Sequence, residues 1–433
     1  MGARSDSWSS EPADSNPALE GAAVTDLIDD SAAIKEPVED FATDWDHTDP
    51  QWVNDPYPIW EDLRARCPVA HTDRYGGGWF PTTHEMVSSI ANDTEHFTSR
   101  MVVVVNNKYP PNFIPAPMGG APPITSDPPF HSIARRVILP AFAPGPVNAL
   151  EPQIRALCNK HLDEMVGHEY VDGGADYAQF IPPGVIGTML GFPPEDEEIF
   201  RDIVHLVLDL IDLPSEIRGP LFQPMSEYFG KQIDDHIENP RDDLTSYLLN
   251  VEVGGQKLER QHVAGTMVLI LVAGIDTTWS AIGSAIWHLA KNPDDLARLV
   301  NEPDLMAVAI EEFLRFYAPV TMARLVAEDY EFFGCPMKKD DWVLLGFPAA
   351  NRDPHAFEDA DRFIIDRAAN RHAAFGLGIH RCVGSNLARL ELRIAVEEFI
   401  KRFPKFELAD VDAVTWAPGQ VRGPRHLPLR ILS

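Results

Sequence analysis

Cysteine is scarce in this chain, with four among 433 residues. Cys67, Cys158, Cys335 and Cys382 lie far apart and form no C-x-x-C pair, which removes a disulfide framework and the common structural zinc spacings. The first three read as plain thiols of a reducing cytoplasm. Basic residues are short as well: 36 Lys+Arg stand against 66 Asp+Glu, for a formal net charge of −30. Nucleic acid and anionic membrane surfaces would both repel such a chain. No basic start followed by an apolar run opens the sequence, so no signal peptide is expected. Linkers, repeats and low-complexity segments are missing too, except at one end. Residues 1–50 hold 13 acidic and 2 basic residues and are rich in Ser, Ala and Pro. Residues 1–42 therefore read as an acidic, disordered tail, and residues 43–433 as a single domain.

Helical periodicity dominates from about residue 131 to 318, and short alternating runs between 320 and 350 read as strands. The expected fold class is mainly α with a minor β portion. Residues 101–129 carry eight prolines and no acid before Asp127, the composition of a long apolar loop that covers a site. The most apolar stretch, residues 262–290, could be taken for a membrane span. Asp276 near its centre would cost about 2.5–3.5 kcal/mol in lipid, and no Lys or Arg clusters flank it. A helix buried in a large core fits better. Within it, Ala273-Gly274-Ile275-Asp276-Thr277-Thr278 sets an acid and two hydroxyls among apolar neighbours. Thr277 can bond back to the carbonyl of Ala273, opening that turn to a small polar ligand. A satisfied buried polar pair is the alternative.

"FGLGIHRCVG", Phe375 to Gly384, places Cys382 in a glycine-rich loop that feeds a helix carrying Leu392, Val396, Phe399 and Phe403 on one face. Helix-end N–H groups favour thiolate there, either as a nucleophile or as a metal ligand. Glu312 and Arg315 lie three apart and can pair, and Arg362 could extend the pair to a network. His131 and Arg135 share a helix face after Pro129, and Arg324 stands alone in an apolar run.

The order A-G-x-D-T-T, E-x-x-R, N-R-D…D-R-F, F-G-x-G-x-H-x-C-x-G resembles the cytochrome P450 family, over nearly the whole chain after about residue 45. The lack of a membrane anchor resembles its soluble bacterial branch, a helix-rich prism with small sheets. The resemblance implies heme b (iron protoporphyrin IX) with Cys382 as the iron ligand. It also implies that His131, Arg135, Arg324 and His380 hold the propionates, and that Ala273, Phe375 and Gly384 contact the ring. Glu312, Arg315 and Arg362 match a structural network, and Asp276 and Thr277 the acid–alcohol pair that supplies protons. Phe130, where many bacterial members have an acid, and Val383, where Leu is frequent, depart from the pattern away from the chemistry.

The implied activity is a monooxygenase that inserts one oxygen atom of O2 into a small or medium apolar molecule, terpenoid or aromatic. Alternatives are an H2O2-dependent peroxygenase, whose members lack the acid–alcohol pair, and a non-enzymatic haem or gas-binding protein. By matching to the family, Leu269, Val272, Val320 and Val421 face the substrate with the loop before Ile124, and Gln420 could add a polar contact. The chain ends about fifty residues after Cys382, so electrons are expected from a separate ferredoxin and its reductase. Arg371, Arg381, Arg389 and Arg393, with Arg135 and Arg136, form the expected basic docking patch.

Overall fold

The structure, a computed structural model, describes residues 36–105, 119–210 and 215–432. Residues 1–35 of the tail expected over 1–42, and the centre of the proline-rich loop, 106–118, lie outside the described residues. The boundary at residue 42 moves: Val38, Phe41 and Ala42 are buried in a cluster with Trp45, Trp52 and Trp60. A strongly acidic average hid three apolar residues spaced for one face, and Phe41 packs 5.9 Å from the Trp52 ring.

A small sheet forms first along the chain. Helix α1 (Tyr57–Arg66) leads into strands β1 (Val69–Thr72) and β2 (Gly78–Pro81), which pair antiparallel. Helix α2 (His84–Asn92) starts where the Thr83 side chain accepts from the Met86 N–H, and β3 (Phe97–Thr98) follows. After the loop come α3 (Phe130–Ile138), α4 (Glu151–Met165) and the short strand β4 (Tyr170–Asp172). Helix α5 (Ile181–Leu190) ends at Gly191 with φ 72°, the left-handed conformation that costs glycine nothing. Then α6 (Glu197–Val204) and α7 (Ser215–Glu238) lead to α8 (Arg260–Lys291).

Helix α8 is the apolar stretch read from the sequence. By length and composition it could cross a membrane, yet 61% of its most apolar window is buried inside the protein. Ile270, Leu271, Ile275, Ile282 and Ile286 join side chains of α4, α5 and α6 in the main core. A Cβ on Gly274 would stand 2.5 Å from Ile186 of α5, so glycine sets how closely these helices meet.

Helix α9 (Met306–Phe316) precedes β5 (Met322–Val326) and β6 (Trp342–Leu345), which complete a five-stranded sheet ordered β1-β2-β6-β5-β3. Helix α10 (Ser385–Arg402) packs against α4 and α8. The chain closes with β7 (Phe406–Leu408), β8 (Thr415–Trp416), β9 (Pro424–His426) and β10 (Pro428–Ile431), which form sheets β7-β10-β4 and β8-β9. The fold is mainly helical with small sheets, as the sequence predicts.

Candidate functional site

The glycines of the cysteine loop have distinct jobs. Gly376 and Gly378 both adopt positive φ, 70° and 67°, and a Cβ on Gly378 would stand 2.1 Å from the Ala91 carbonyl oxygen. Only glycine lets the loop turn against α2 at that point. The Cys382 N–H then donates to the Phe375 carbonyl at 2.7 Å, and the sulfur comes to rest at the start of α10 in a cavity of about 210 Å³. Burial pushes the thiol pKa up, while the Gly384 N–H and the guanidiniums of Arg135, Arg381 and Arg389 pull against it. A metal cation on the sulfur would reverse the balance, since a coordinating thiol is deprotonated outright.

Across the cavity lies α8. Leu269, Ile270, Ala273, Gly274, Thr277 and Ala281 line it, one helical face at about 100° per residue. The Thr277 hydroxyl donates to the Ala273 carbonyl at 2.7 Å, as expected, while the helix stays regular. Val272, expected to face the substrate, does not border the cavity, and neither does Asp276. Val272 is buried in the main core, and fully buried Asp276 is paired with Arg425. Val320 lines the cavity with Pro123 and Ile124. Val421 does not: it pairs with Val320 across an isolated bridge and is buried behind it. Gln420 is no substrate contact either, because its amide bonds Val104 N, Val102 O and Thr321 O and ties two loops together.

Basic side chains gather at one edge. Arg135, Arg324 and His380 line the cavity, and the rings of His131 and His380 are 4.4 Å apart. Burial and the neighbouring cations hold the His380 pKa down to about 2, and burial lowers Arg324 to about 10. Buried His131 leaves Nε2 with no partner among the described residues. Asp127 is the acid acting on both His131 and Arg324. So many crowded donors fit a dianionic ligand, which would restore the charge that burial disfavours. The sequence reading missed two residues that organise this edge. Ser99 Oγ stands 2.9 Å from His380 Nε2. The Asp127 carboxylate accepts from the Ser99 N–H at 2.9 Å and from the Thr98 hydroxyl. No motif marks either one.

On the cysteine side, the network expected around Glu312 uses a different arginine. Glu312 and Arg315 are fully buried and bidentate, at 2.7 and 2.8 Å. The third member is Arg367, whose Nε is 3.1 Å from both Glu312 oxygens. Arg362 points outward to Asp359, and only its carbonyl takes part, accepting from Arg315 at 2.8 Å. The turn Asp359–Arg362 carries the backbone inward, so the position five residues later supplies the side chain. Two arginines of the expected docking patch are also engaged. Arg389 pairs with Glu311 at 2.6 Å and lies over the Phe375 ring, and Arg393 pairs with Glu151 and Glu397. Arg136, Arg371 and Arg381 make no ion pair among the described residues and are exposed. Among the titratable residues that line the cavity, one went unread: Glu391 of α10, whose pKa burial pushes well above the ordinary carboxylate value.

Comparison with known proteins agrees with this geometry. A family model described as Cytochrome P450 matches residues 215–415. The chain is 34% identical over 312 residues to the polyketide biosynthesis cytochrome P450 PksS of Bacillus subtilis (strain 168), covering 71% of this chain and 77% of that one. The solved PksS structure superposes with a TM-score of 0.80 at 29% identity, over 90% of this chain and 100% of that one. Cytochrome P450-terp of Pseudomonas sp is 30% identical over 401 residues, covering 86% of this chain and 93% of that protein. P450BioI, solved with an acyl carrier protein bearing hexadec-9Z-enoic acid, gives a TM-score of 0.78 at 28% identity, over 88% of this chain and 99% of that one.

Proposed function

Because the chain belongs to the cytochrome P450 family, whose members are haem-dependent monooxygenases, we propose that it oxygenates a small or medium apolar substrate, terpenoid or aromatic, in the cytoplasm. The observation that carries the reading is Cys382 facing Thr277 across a cavity whose distal wall is apolar. Cys382 would hold the iron, and His131, Arg135, Arg324 and His380 the propionates. Bound haem supplies the electron chemistry that activates O2.

The remaining work falls to the chain. Ile124, Leu269 and Val320 bury an apolar substrate and exclude water from the reacting carbon. Besides Cys382, the titratable groups among the described residues that line the cavity are Arg135, Arg324, His380 and Glu391. The first three belong to the propionate edge, and burial disfavours the charged form of Glu391 on α10, so the substrate side offers no ion pair to a charged ligand. Thr277 spends its proton on Ala273, so its oxygen presents lone pairs to the cavity and can accept from a protonated group or a water. Asp276 stands next in sequence as the proton source. An acid–alcohol pair has no use in gas storage, and peroxygenase relatives do without it, which favours O2 and external electrons.

The proposed electron donor is a ferredoxin with its reductase. Arg136, Arg371 and Arg381 are its free cations, and the exposed Ile133, Leu139 and Ile379 lie beside them in sequence. Arg135 donates to the Arg381 carbonyl, which joins α3 to the cysteine loop on one face. An acidic partner with an apolar centre fits that surface. The test is spectroscopic. Candidate terpenoids and aromatics are screened for the ferric high-spin Soret shift, and a hit is then turned over with ferredoxin, reductase and O2. Incorporation of one labelled oxygen from O2 into product supports the reading; turnover with H2O2 alone at the same rate would overturn it.

A further inference from the structure

A second, smaller cavity backs onto the substrate wall. It encloses about 20 Å³, and Tyr57, Trp60, Tyr317, Pro319, Gln420 and Arg422 are among the residues that line it. Pro319 also borders the main cavity, so the two share a wall there. Helix α1 brings Tyr57 and Trp60. Gln420 and Arg422 come from the segment before β9, where the Arg422 N–H donates to the Pro319 carbonyl at 2.7 Å. A cavity needs about 10–15 Å³ to take a water, so one monatomic or water-sized body fits and a polyatomic one does not.

Some polar groups around this space are already committed. Gln420 uses its amide on Val104, Val102 and Thr321. The Tyr317 hydroxyl stands 2.7 Å from His288 Nδ1, and His288 Nε2 stands 3.0 Å from Asp295. With Nε2–H donating to that carboxylate, Nδ1 accepts, and the Tyr317 proton is taken. Trp60 differs: the residue is 3% exposed, and its Nε1–H has no partner among the described residues. Tyr57 accepts from Arg422 Nη1 at 3.3 Å, which leaves its own O–H to donate. Arg422 also donates to the carbonyls of Val53 and Asn54, at 3.1 and 2.7 Å, and two of its five N–H groups remain. Charge points the same way. Arg352 and Arg422 lie over the Tyr57 ring, 4.0 and 5.4 Å from its centroid. Neither forms an ion pair among the described residues, although Asp55 acts on Arg422 from further off, and burial lowers the pKa of both. Guanidiniums that lose water without gaining a carboxylate favour an anion beside them. A water in the cavity would satisfy the donors and leave the charge; a monatomic anion answers both.

We propose that this cavity binds a halide ion, chloride in the cell, through Trp60 Nε1–H, the Tyr57 hydroxyl and Arg422. The ion braces α1 against the segments that carry Pro319 and Gln420 behind the substrate wall. The inference stands apart from the oxygenation reading and needs no haem chemistry.

The experiment uses the haem-loaded protein freed of halide. Crystals soaked in sodium bromide should show an anomalous peak inside the cavity. In urea titrations, sodium chloride replaces sodium gluconate at fixed ionic strength, and the midpoint should rise with chloride and then level off, since the ion binds only the folded state. A hydrogen bond to a charged group is at stake in each variant, so Tyr57→Phe and Trp60→Phe should weaken the chloride constant about tenfold or more. Bromide at the surface alone (an adventitious ion only), a wild-type midpoint indifferent to chloride, or an unchanged constant in both variants would overturn the proposal. Should either variant fail to fold, the bromide map of the wild type still decides. Neither readout needs substrate or electrons, so their failure is separable from failure of the oxygenation assay.

Discussion

Arginine 367, rather than Arg362, should carry the stability of the region behind the cysteine loop. In Arg367→Leu, Glu312 loses the Nε contacts at 3.1 Å, the backbone carbonyls of Glu358 and Asp359 lose the donor that Arg367 supplies, and that of Arg362 keeps only Arg315. Arg315 stays, bidentate, and the Asn370 amide and Ile364 N–H still reach the carboxylate. Stripping a buried charge of its whole partner costs about 3–5 kcal/mol, and a hydrogen bond to a charged group contributes about 1.5–3. With half of the network left, the loss should fall near 2–4 kcal/mol by the same reasoning. Arg362→Leu breaks only a contact to Asp359 between side chains 69% and 52% exposed, a loss of less than about 1 kcal/mol. Guanidinium titrations of the haem-loaded protein, followed by far-UV circular dichroism and the Soret band, would read both. The midpoint should drop clearly in Arg367→Leu and barely in Arg362→Leu at equal slope. Equal midpoints, or a larger drop in Arg362→Leu, would refute the assignment.

Cys382→His should abolish the red-shifted Soret band of the reduced carbon-monoxide form, and its survival would remove Cys382 as the iron ligand. Thr277→Ala should bind substrate normally and consume reduced nicotinamide, but release more hydrogen peroxide in place of product; an unchanged peroxide yield counts against the acceptor role of that hydroxyl. Reduction by ferredoxin should slow with salt and slow further in Arg136→Glu and Arg371→Glu, whereas Arg389→Glu should mainly lower stability because it repels Glu311. Glu311 itself is pushed up by burial, but Arg389 and His372 outweigh that and hold its pKa at about 2, against an ordinary 4.5. A depressed carboxyl stabilises above its unfolded pKa, so this contribution should be lost as pH falls from about 4.5 to about 2. Glu311→Gln should flatten that part of the acid-unfolding curve, and an identical acid limb would show the pair to be idle.

The sequence by itself determined what local chemistry can fix. Glycine at 376 and 378 and the cysteine at 382 announce a loop that only glycine can turn. An unbroken apolar run with an acid inside it announces a buried helix, and the bonding of Thr277 to Ala273 follows from the four-residue spacing alone. The buried residues before position 43 were lost in an acidic average, since net charge says nothing about which side chains face inward. The tertiary structure decided which partner each polar group found. Arg367 displaced Arg362 because a turn directs one side chain outward and carries the next arginine back to Glu312. Arg389 and Arg393 left the free surface because acids of other helices reach them. Val272 and Asp276 turned from the cavity because helical phase separates them from Thr277, and the cation waiting there, Arg425, lies 149 residues on in a strand. Partners so distant leave no local pattern, because what joins them is the packing of the hairpin onto α8.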